Sequence, residues 1–171
     1  MNRKTTLYKF SLIATICGAI SLSVIPAIAE SNSTRKLIAR TKHLNRLVLA
    51  AGFDRSTAII TGQTGGSYSL ASIANRDGEG NHCMGYSDPE PDHTLILQDN
   101  FSKLSLKVNS GGKDTTLVIK GPNSRLRCAF GQKRQRDALI SDTNWQQGKY
   151  EIWVGSMQPK RRSGYRLSVN Q

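Results

Sequence analysis

Closely spaced turn signals divide the sequence after residue 62 and limit each intervening run to a few residues. The paired turn-forming residues are Gly65-Gly66, Asp77-Gly78, Asp88-Pro89, Gly111-Gly112, Gly121-Pro122 and Ser163-Gly164. Such short runs are typical of strands joined by tight turns. They leave no room for the long helices that connect parallel strands, so the pattern disfavours an α/β fold.

Several of the runs between these turns alternate apolar with polar residues. The clearest is Leu104-Ser105-Leu106-Lys107-Val108, and residues 150–154 and 165–169 follow the same pattern. The further candidate strands are residues 67–73, 82–87, 93–97, 115–120 and 125–130. The sequence therefore predicts an all-β domain over residues 62–171, a jelly-roll-like β-sandwich of about eight strands.

Residues 1–29 have the composition of a cleavable signal peptide. A basic start precedes an apolar run over residues 12–25, and the small-residue exit Ala27-Ile28-Ala29 predicts cleavage before Glu30. The run is shorter than the roughly 20 residues that a membrane-spanning helix needs, and serines interrupt it. We therefore expect a periplasmic or extracellular protein with no transmembrane segment after cleavage.

A basic helical lead-in is predicted over residues 30–61. Apolar residues recur at helical spacing between residues 33 and 50, and Gly52 ends the segment. Between residues 33 and 50 the charged residues are all basic: Arg35, Lys36, Arg40, Lys42 and Arg46. Such an amphipathic helix can attach to an anionic membrane or partner, or it can pack on the β domain. The sequence leaves both alternatives open.

The charge balance indicates anionic partners. Removing the leader takes away three basic residues and no acidic one, which lowers the formal net charge from +12 to +9. Outside the cytoplasm, such a protein meets acidic polysaccharide, lipopolysaccharide, cell-wall polymers and phospholipid head groups rather than nucleic acid.

Two basic clusters fall in predicted loops, and they are Lys133-Arg134-Gln135-Arg136 and Lys160-Arg161-Arg162. If one edge of the sandwich gathers them, their arginines can hold phosphate, sulfate or carboxylate groups in bidentate fashion. Trp153 or Trp145 could add a stacking surface for a sugar ring. The alternative is that both loops are simply solvated and that Trp153 belongs to the core.

Two cysteines, Cys83 and Cys128, remain after cleavage. In an oxidising compartment such a pair forms a disulfide, and two buried free thiols are the alternative. No Cys-x-x-Cys or His-x-x-x-His spacing indicates zinc. Asp88, Glu90 and Asp92 offer three carboxylates, but no glycine permits the tight wrap of a calcium loop. We expect a solvated turn there, no metal and no cofactor.

The histidines do not indicate catalysis. They are His43, His82 and His93, and no Gly-x-Ser-x-Gly or His-Glu-x-x-His motif places a nucleophile or a metal beside one of them. We therefore expect no catalytic residues.

A series of motifs runs in a fixed order through residues 62–171. It comprises Gly65-Gly66-Ser67-Tyr68, Cys83-Met84-Gly85-Tyr86, Pro91-Asp92-His93, the run DTTLVI from Asp114 with Gly121-Pro122, Arg127-Cys128, and GKYEIWVGS from Gly148. This order resembles that of bacterial pre-peptidase C-terminal-like domains. The resemblance implies a jelly-roll sandwich that binds substrates or surface polymers, or assists secretion, without catalysis. Some such domains bind calcium, but basic residues follow Cys128 where relatives carry acidic ones.

Together these observations predict a monomeric, non-catalytic exported module that binds anionic envelope or extracellular polymers through its basic loops. The alternative is a protein-interaction or inhibitor module that docks on an exported enzyme, using a strand edge or the same loops.

Overall fold

The computed structural model describes residues 45–132 and 134–171, and β-strands dominate both ranges. In chain order the strands are β1 Arg46–Leu49, β2 Ile59–Gln63, β3 Tyr68–Ser69, β4 Tyr86–Ser87, β5 His93–Leu97, β6 Phe101–Asn109, β7 Thr115–Lys120, β8 Leu126–Phe130, β9 Leu139–Trp145, β10 Gly148–Ser156 and β11 Gly164–Asn170. Short 3-10 turns occupy Leu70–Ser72 and Pro122–Ser124. Within these ranges no helix is long and apolar enough to cross a membrane.

Strand β10 is the central strand of the larger, seven-stranded sheet. It pairs antiparallel with β7 along one edge, and with β5 and then β4 along the other. Strand β8 extends the sheet beyond β7, while β1 and β3 extend it beyond β5 and β4. The smaller sheet has the order β2-β11-β6-β9 and is antiparallel throughout. This arrangement confirms the predicted all-β sandwich.

The main hydrophobic core lies between the two sheets. Leu106 and Val108 of β6 enter it from the smaller sheet, and Ile152 and Val154 of β10 enter it from the larger one. Each is almost fully buried, which stabilises the fold by about 1.5–3 kcal/mol per side chain relative to an exposed position. The alternation seen in the sequence therefore marks the inward faces of both sheets.

A second, smaller cluster covers the outer face of the seven-stranded sheet. Val118 of β7 pairs with Trp153 of β10 and with Cys128 of β8, so the three form a row across the sheet. Leu70 and Cys83, from the segment that connects β3 and β4, pack on this row. The Cys83–Cys128 disulfide, with 5.1 Å between its Cα atoms, confirms the predicted pairing and ties the segment to the sheet.

The sequence pattern does not predict β9, because a charged residue interrupts its apolar period. Ile140 and Trp145 are buried, and Asp142 lies between them. Asp142 is accommodated because it forms an ion pair with the buried Arg127 of β8. The Arg127 guanidinium lies 3.9 Å from the centroid of the Trp145 ring. An interaction between two strands thus replaces the apolar contact that the pattern requires.

The N-terminal boundary of the sandwich differs from the predicted one. Residues 46–49 form β1 rather than the end of a helix, because parallel pairing with β5 buries Leu49. Leu47 and Leu49 lie two residues apart, which is the spacing of one face of a strand rather than of a helix. Strand β2 also belongs to the sandwich although it begins before residue 62. The leader and residues 30–44 of the lead-in lie outside the described residues.

Two predicted strands are shorter in the structure. Of residues 67–73, only Tyr68–Ser69 pairs with a neighbouring strand, and a 3-10 turn follows it. Of residues 82–87, only Tyr86–Ser87 does so. The remaining residues between β3 and β4 form the layer that the disulfide holds on the sheet.

Replacing both cysteines in a Cys83→Ala, Cys128→Ala variant should lower the free energy of unfolding by about 4 kcal/mol. The disulfide closes a loop with a sequence separation of 45, and losing it restores conformational entropy to the unfolded chain. Urea unfolding of the oxidised wild type and the variant measures the difference. Equal unfolding midpoints and slopes would show that the disulfide does not stabilise the fold.

Candidate anion-binding site

Both basic clusters lie at the same end of the sandwich. Strand β10 ends at Ser156, which pairs with Thr115 at the start of β7. Strand β8 ends at Phe130, which pairs with the next residue of β7, Thr116. The loops that follow β8 and β10 therefore leave the larger sheet at the same end. The sheet pairing thus brings together the two loops that sequence analysis singled out.

A third loop at this end adds a cation that sequence analysis missed. Lys113 lies between β6 and β7, and β7 separates β8 from β10 in the sheet. The Gly111-Gly112 pair before it marks a turn in the sequence, but only the sheet pairing places that turn between the two clusters. We define the basic rim as the exposed Lys113, Arg134, Arg136, Lys160, Arg161 and Arg162. Lys133, also predicted here, lies outside the described residues.

Backbone hydrogen bonds hold the 157–163 loop in place. Lys160 N donates to the Gly66 carbonyl at 2.6 Å, and Thr64 N donates to the Ser163 carbonyl at 2.9 Å. The Thr64 hydroxyl also donates to the Arg161 carbonyl at 3.0 Å and accepts from Ser163 N. These contacts fix the backbone that carries the cations and leave the charged ends exposed.

The loop after β8 is held just as closely. Thr115 N donates to the Arg136 carbonyl at 3.0 Å, and Gly131 N donates to the Thr115 carbonyl at 2.9 Å. A Cβ atom on residue 131 would collide with the Arg136 backbone, so this return of the chain requires glycine. Gln132 and Gln135 bridge the turn. Arg134 and Arg136 therefore extend from a well-braced turn.

The rim carries an excess of positive charge. Among the carboxylates near the rim, Asp114 lies 3.8 Å from Arg136, and Asp137 accepts hydrogen bonds from Ser110. Asp88 packs on Gly66, whose carbonyl accepts from Lys160 N, so it borders the other rim loop. The Asp114–Arg136 pair is exposed on both sides, and such pairs neutralise little charge. Most rim cations thus remain available to an anionic ligand.

Neither tryptophan can provide the stacking surface considered from the sequence. Trp153 is only 6% exposed and donates from Nε1 to the Pro89 carbonyl at 3.1 Å. Trp145 is 1% exposed and donates to the Asp142 carbonyl. The ligand-binding role of Trp153 is therefore corrected to a packing role, because its ring belongs to the cluster around the disulfide.

Asp92 completes the sheet where strand pairing is interrupted. On one edge of β10, pairing passes from β5 to β4, and residues 88–92 separate those two strands. In that gap the Asp92 carboxylate accepts a hydrogen bond from Val154 N at 2.8 Å. Asp88 and Glu90 remain near it, but no group of three or more His, Cys, Asp or Glu within the two described ranges could hold a metal ion. The solvated turn expected from the sequence is therefore tied to β10 at Asp92.

A buried histidine lies beside this aspartate. His93 Nε2 and the Tyr165 hydroxyl are 2.7 Å apart, and Gly62 packs so closely on this pair that any side chain would collide with it. Burial lowers the pKa of His93 to about 4. Burial, with Asp88 contributing, raises the pKa of Asp92 to about 6 although the Val154 hydrogen bond opposes the change. Burial also raises the pKa of Tyr165, and the Asp92 charge adds to that effect.

These shifts make both groups poor catalysts at neutral pH. A histidine with a lowered pKa is a weak base, and a tyrosine with a raised pKa is a weak nucleophile. Among the other histidines, His82 is exposed and pairs with Arg76 in an isolated bridge. His43 lies outside the described residues. The His93–Tyr165 pair therefore has the properties of a packed polar contact.

The opposite pKa shifts predict opposite effects of pH in two variants. Between about pH 4 and pH 6, folded Asp92 holds a proton that the unfolded chain has lost, so acidification through this interval stabilises the fold. Folded His93 lacks a proton that the unfolded chain holds, so the same acidification destabilises the fold. The two contributions largely cancel in the wild type.

We expect Asp92→Asn to be more stable than the wild type above pH 6 by about 1–3 kcal/mol, an advantage that vanishes toward pH 4. His93→Gln should instead gain stability relative to the wild type as the pH falls from about 6.5 to 4. Urea unfolding across this range measures both differences. Differences that do not change with pH would contradict the assigned protonation states.

Comparisons with known proteins concern the fold. No protein-family model matches the sequence, and a search of curated proteins finds no match. Similar solved structures include the pre-peptidase C-terminal domain of a collagenase from Bacillus anthracis, with a TM-score of 0.38, 17% identity, and coverage of 73% of this chain and 94% of that one. Another is CorA of Methylomicrobium album BG8, described as a surface-associated copper-binding protein, with a TM-score of 0.41, 10% identity, and coverage of 73% and 98%.

Proposed function

We propose that this chain is an exported, non-catalytic module that binds anionic polysaccharide of the cell envelope or its surroundings. The basic rim carries the proposal: six exposed cations from three loops lie at one end of the sandwich, and they outnumber the carboxylates described beside them. Arginine, which supplies four of the six, forms bidentate hydrogen bonds with sulfate, phosphate and carboxylate groups.

The fixed loop backbones favour such binding. A ligand loses less affinity when the groups that hold it are already ordered, because fewer backbone dihedrals must be fixed on association. The hydrogen bonds from Thr64 and to Gly66 provide this order in one loop, and those of Thr115 provide it in the other. In the described parts of both loops, most of the freedom lost on binding is then that of the long basic side chains.

The proposed export favours an envelope or extracellular ligand. The leader-like composition of residues 1–29 and the disulfide in the β domain both agree with an oxidising compartment. In that compartment the abundant anions are surface polymers and lipids. The non-catalytic part of the proposal rests on the buried, weakly basic state of His93.

The proposal predicts that a rim variant, Arg134→Gln, Arg161→Gln, Arg162→Gln, binds immobilised heparin about tenfold or more weakly than the wild type at low salt. Each lost charge-assisted contact weakens binding, and 1.4 kcal/mol corresponds to a tenfold change. Heparin serves as a sulfated polysaccharide probe. Wild-type binding should also weaken strongly as ionic strength rises, because salt screens exposed charges.

The matched control is Arg46→Gln, Lys120→Gln, Lys149→Gln, which removes three positive charges from the other sheet. Its one lost ion pair, between Lys149 and Glu151, is exposed and contributes little. The control should retain near-wild-type affinity. Equal losses of heparin affinity in both variants would show that net charge, and not the position of the rim, determines binding. Binding that does not change with salt would contradict the electrostatic mechanism.

A second candidate function has its own structural support. Among the described strands, β8 pairs only with β7 and β9 pairs only with β6, so both sheets have an edge on the same side of the sandwich. A groove of about 540 Å³ runs along these edges and includes residues 127–130 and 139–142. A partner strand could extend the β9 edge through backbone hydrogen bonds, whereas on β8 the Asp77 carboxylate already accepts from Cys128 N. A stoichiometric partner recovered from native periplasm or medium, and retained by the rim variant, would favour this protein-interaction function.

A further inference from the structure

Within residues 45–132 and 134–171, nothing covers the outer face of the smaller sheet, which presents mainly hydroxyl, amide and basic side chains. The residues that point outward from its four strands include Thr61 of β2, Ser105 and Lys107 of β6, Thr143 of β9, and Arg166 and Ser168 of β11. They alternate with the buried side chains of the main core. The face therefore combines polar groups with few apolar ones.

Three cations on this face continue the basic rim. Arg166 lies two residues after Gly164, where the 157–163 rim loop ends, and pairs across the sheet with Asn109. Lys107 pairs with Ser168 at the next outward position, and Lys103 lies further along the same strand. From the level of Arg166 to Lys103 the distance along β6 is about 20 Å. We name Arg166, Lys107 and Lys103 the charged track.

The strands that carry the charged track have little acidic character. The four strands of this sheet contain a single acidic residue, Asp142, which is engaged with Arg127 at the side of the sandwich. Among the described residues, none forms an ion pair with a track cation. The three positive charges are therefore open to a ligand.

The two outer faces of the sandwich differ in access. On the seven-stranded sheet, the layer between β3 and β4 covers the row formed by Val118, Trp153 and Cys128. The disulfide holds that layer in place. The smaller sheet has no such layer among the described residues, and its Lys103, Lys107 and Arg166 are exposed. A ligand that extends from the rim along a sheet thus meets the smaller sheet.

We propose that the outer face of the smaller sheet extends the basic rim into a track for a linear acidic polysaccharide. The inference rests on the proposed function and assigns it a ligand class: a chain whose charged groups recur over at least the length of the track. Its sulfate or carboxylate groups contact the rim and the three track cations, and its hydroxyls face the serine, threonine and asparagine side chains.

The composition of the face favours a polysaccharide over the other anionic partners. A membrane-binding surface needs a group of apolar side chains that enter the lipid. The large apolar residues on this face are Ile59 and Leu139, which are 36% and 40% exposed and lie on the two opposite edge strands of the sheet, so they form no continuous apolar patch. A protein interface usually includes aromatic anchors at its centre, and this face presents none. The charged and hydroxyl groups of this face are therefore the groups that can recognise a ligand.

The test compares short and long heparin fragments in binding to three variants. The track variant Lys103→Gln, Lys107→Gln, Arg166→Gln should bind long fragments about tenfold more weakly than the wild type and short fragments with unchanged affinity. The rim variant should lose affinity for both lengths. The control Arg46→Gln, Lys120→Gln, Lys149→Gln should match the wild type for both. All substitutions are at exposed or partly exposed positions, and urea unfolding checks that each variant is folded.

The possible failures are distinguishable. Wild-type protein that does not bind heparin at any length would overturn both the proposed function and the track. Rim-dependent binding without a length-dependent loss in the track variant would overturn the track alone. So would equal losses in the track and control variants, since net charge would then explain them. A track variant that loses binding to phosphatidylglycerol vesicles and keeps its binding to long heparin would assign the face to a membrane instead.

Discussion

The pairing of β10 with β7 on one edge and with β5 and β4 on the other is the interaction on which the rest of the structure depends. One side of β10 supplies Ile152 and Val154 to the core between the sheets, and the other supplies Trp153 to the layer fixed by the disulfide. Its last residue, Ser156, leads directly into a rim loop. Core, outer layer and rim thus share one strand, and the interruption between β5 and β4 explains why a partly buried carboxylate, Asp92, is retained beside it.

The disulfide makes the two sides of the sandwich unequal. Because Cys83 is bonded to Cys128, the layer that contains it stays on the larger sheet and hides Trp153. Much of the apolar surface of that sheet is thereby removed from water, while the outer face of the smaller sheet is mostly polar and basic, with Ile59 and Leu139 at its two edges. The covered face contributes stability and the open face offers charge. This division explains how a basic protein can expose an unpaired cationic surface without also exposing a large apolar patch.

The sequence specifies the elements whose pattern is local. Turn pairs such as Gly111-Gly112 and alternation such as that of β6 depend on neighbouring residues, so the all-β class and most central strands are predictable. The disulfide follows from composition and compartment. Features that depend on contacts between distant strands are not predictable in this way. Asp142 interrupts the apolar pattern of β9, and its ion-pair partner Arg127 lies on another strand, so the sequence pattern does not predict β9. Strand β1 forms because it pairs with β5. Lys113 joins the rim only once the sheet order is known.

The basic rim and the charged track also impose a cost on the fold. Cations held close together repel one another, and an excess of one sign of charge destabilises a compact state. The neighbouring carboxylates relieve only part of this repulsion, because the rim cations outnumber them and the Asp114–Arg136 pair is exposed. The disulfide, worth about 4 kcal/mol in the chain-entropy description, helps to offset that cost. A ligand that neutralises the cations would then stabilise the fold as it binds, because it removes the repulsion that the free protein tolerates.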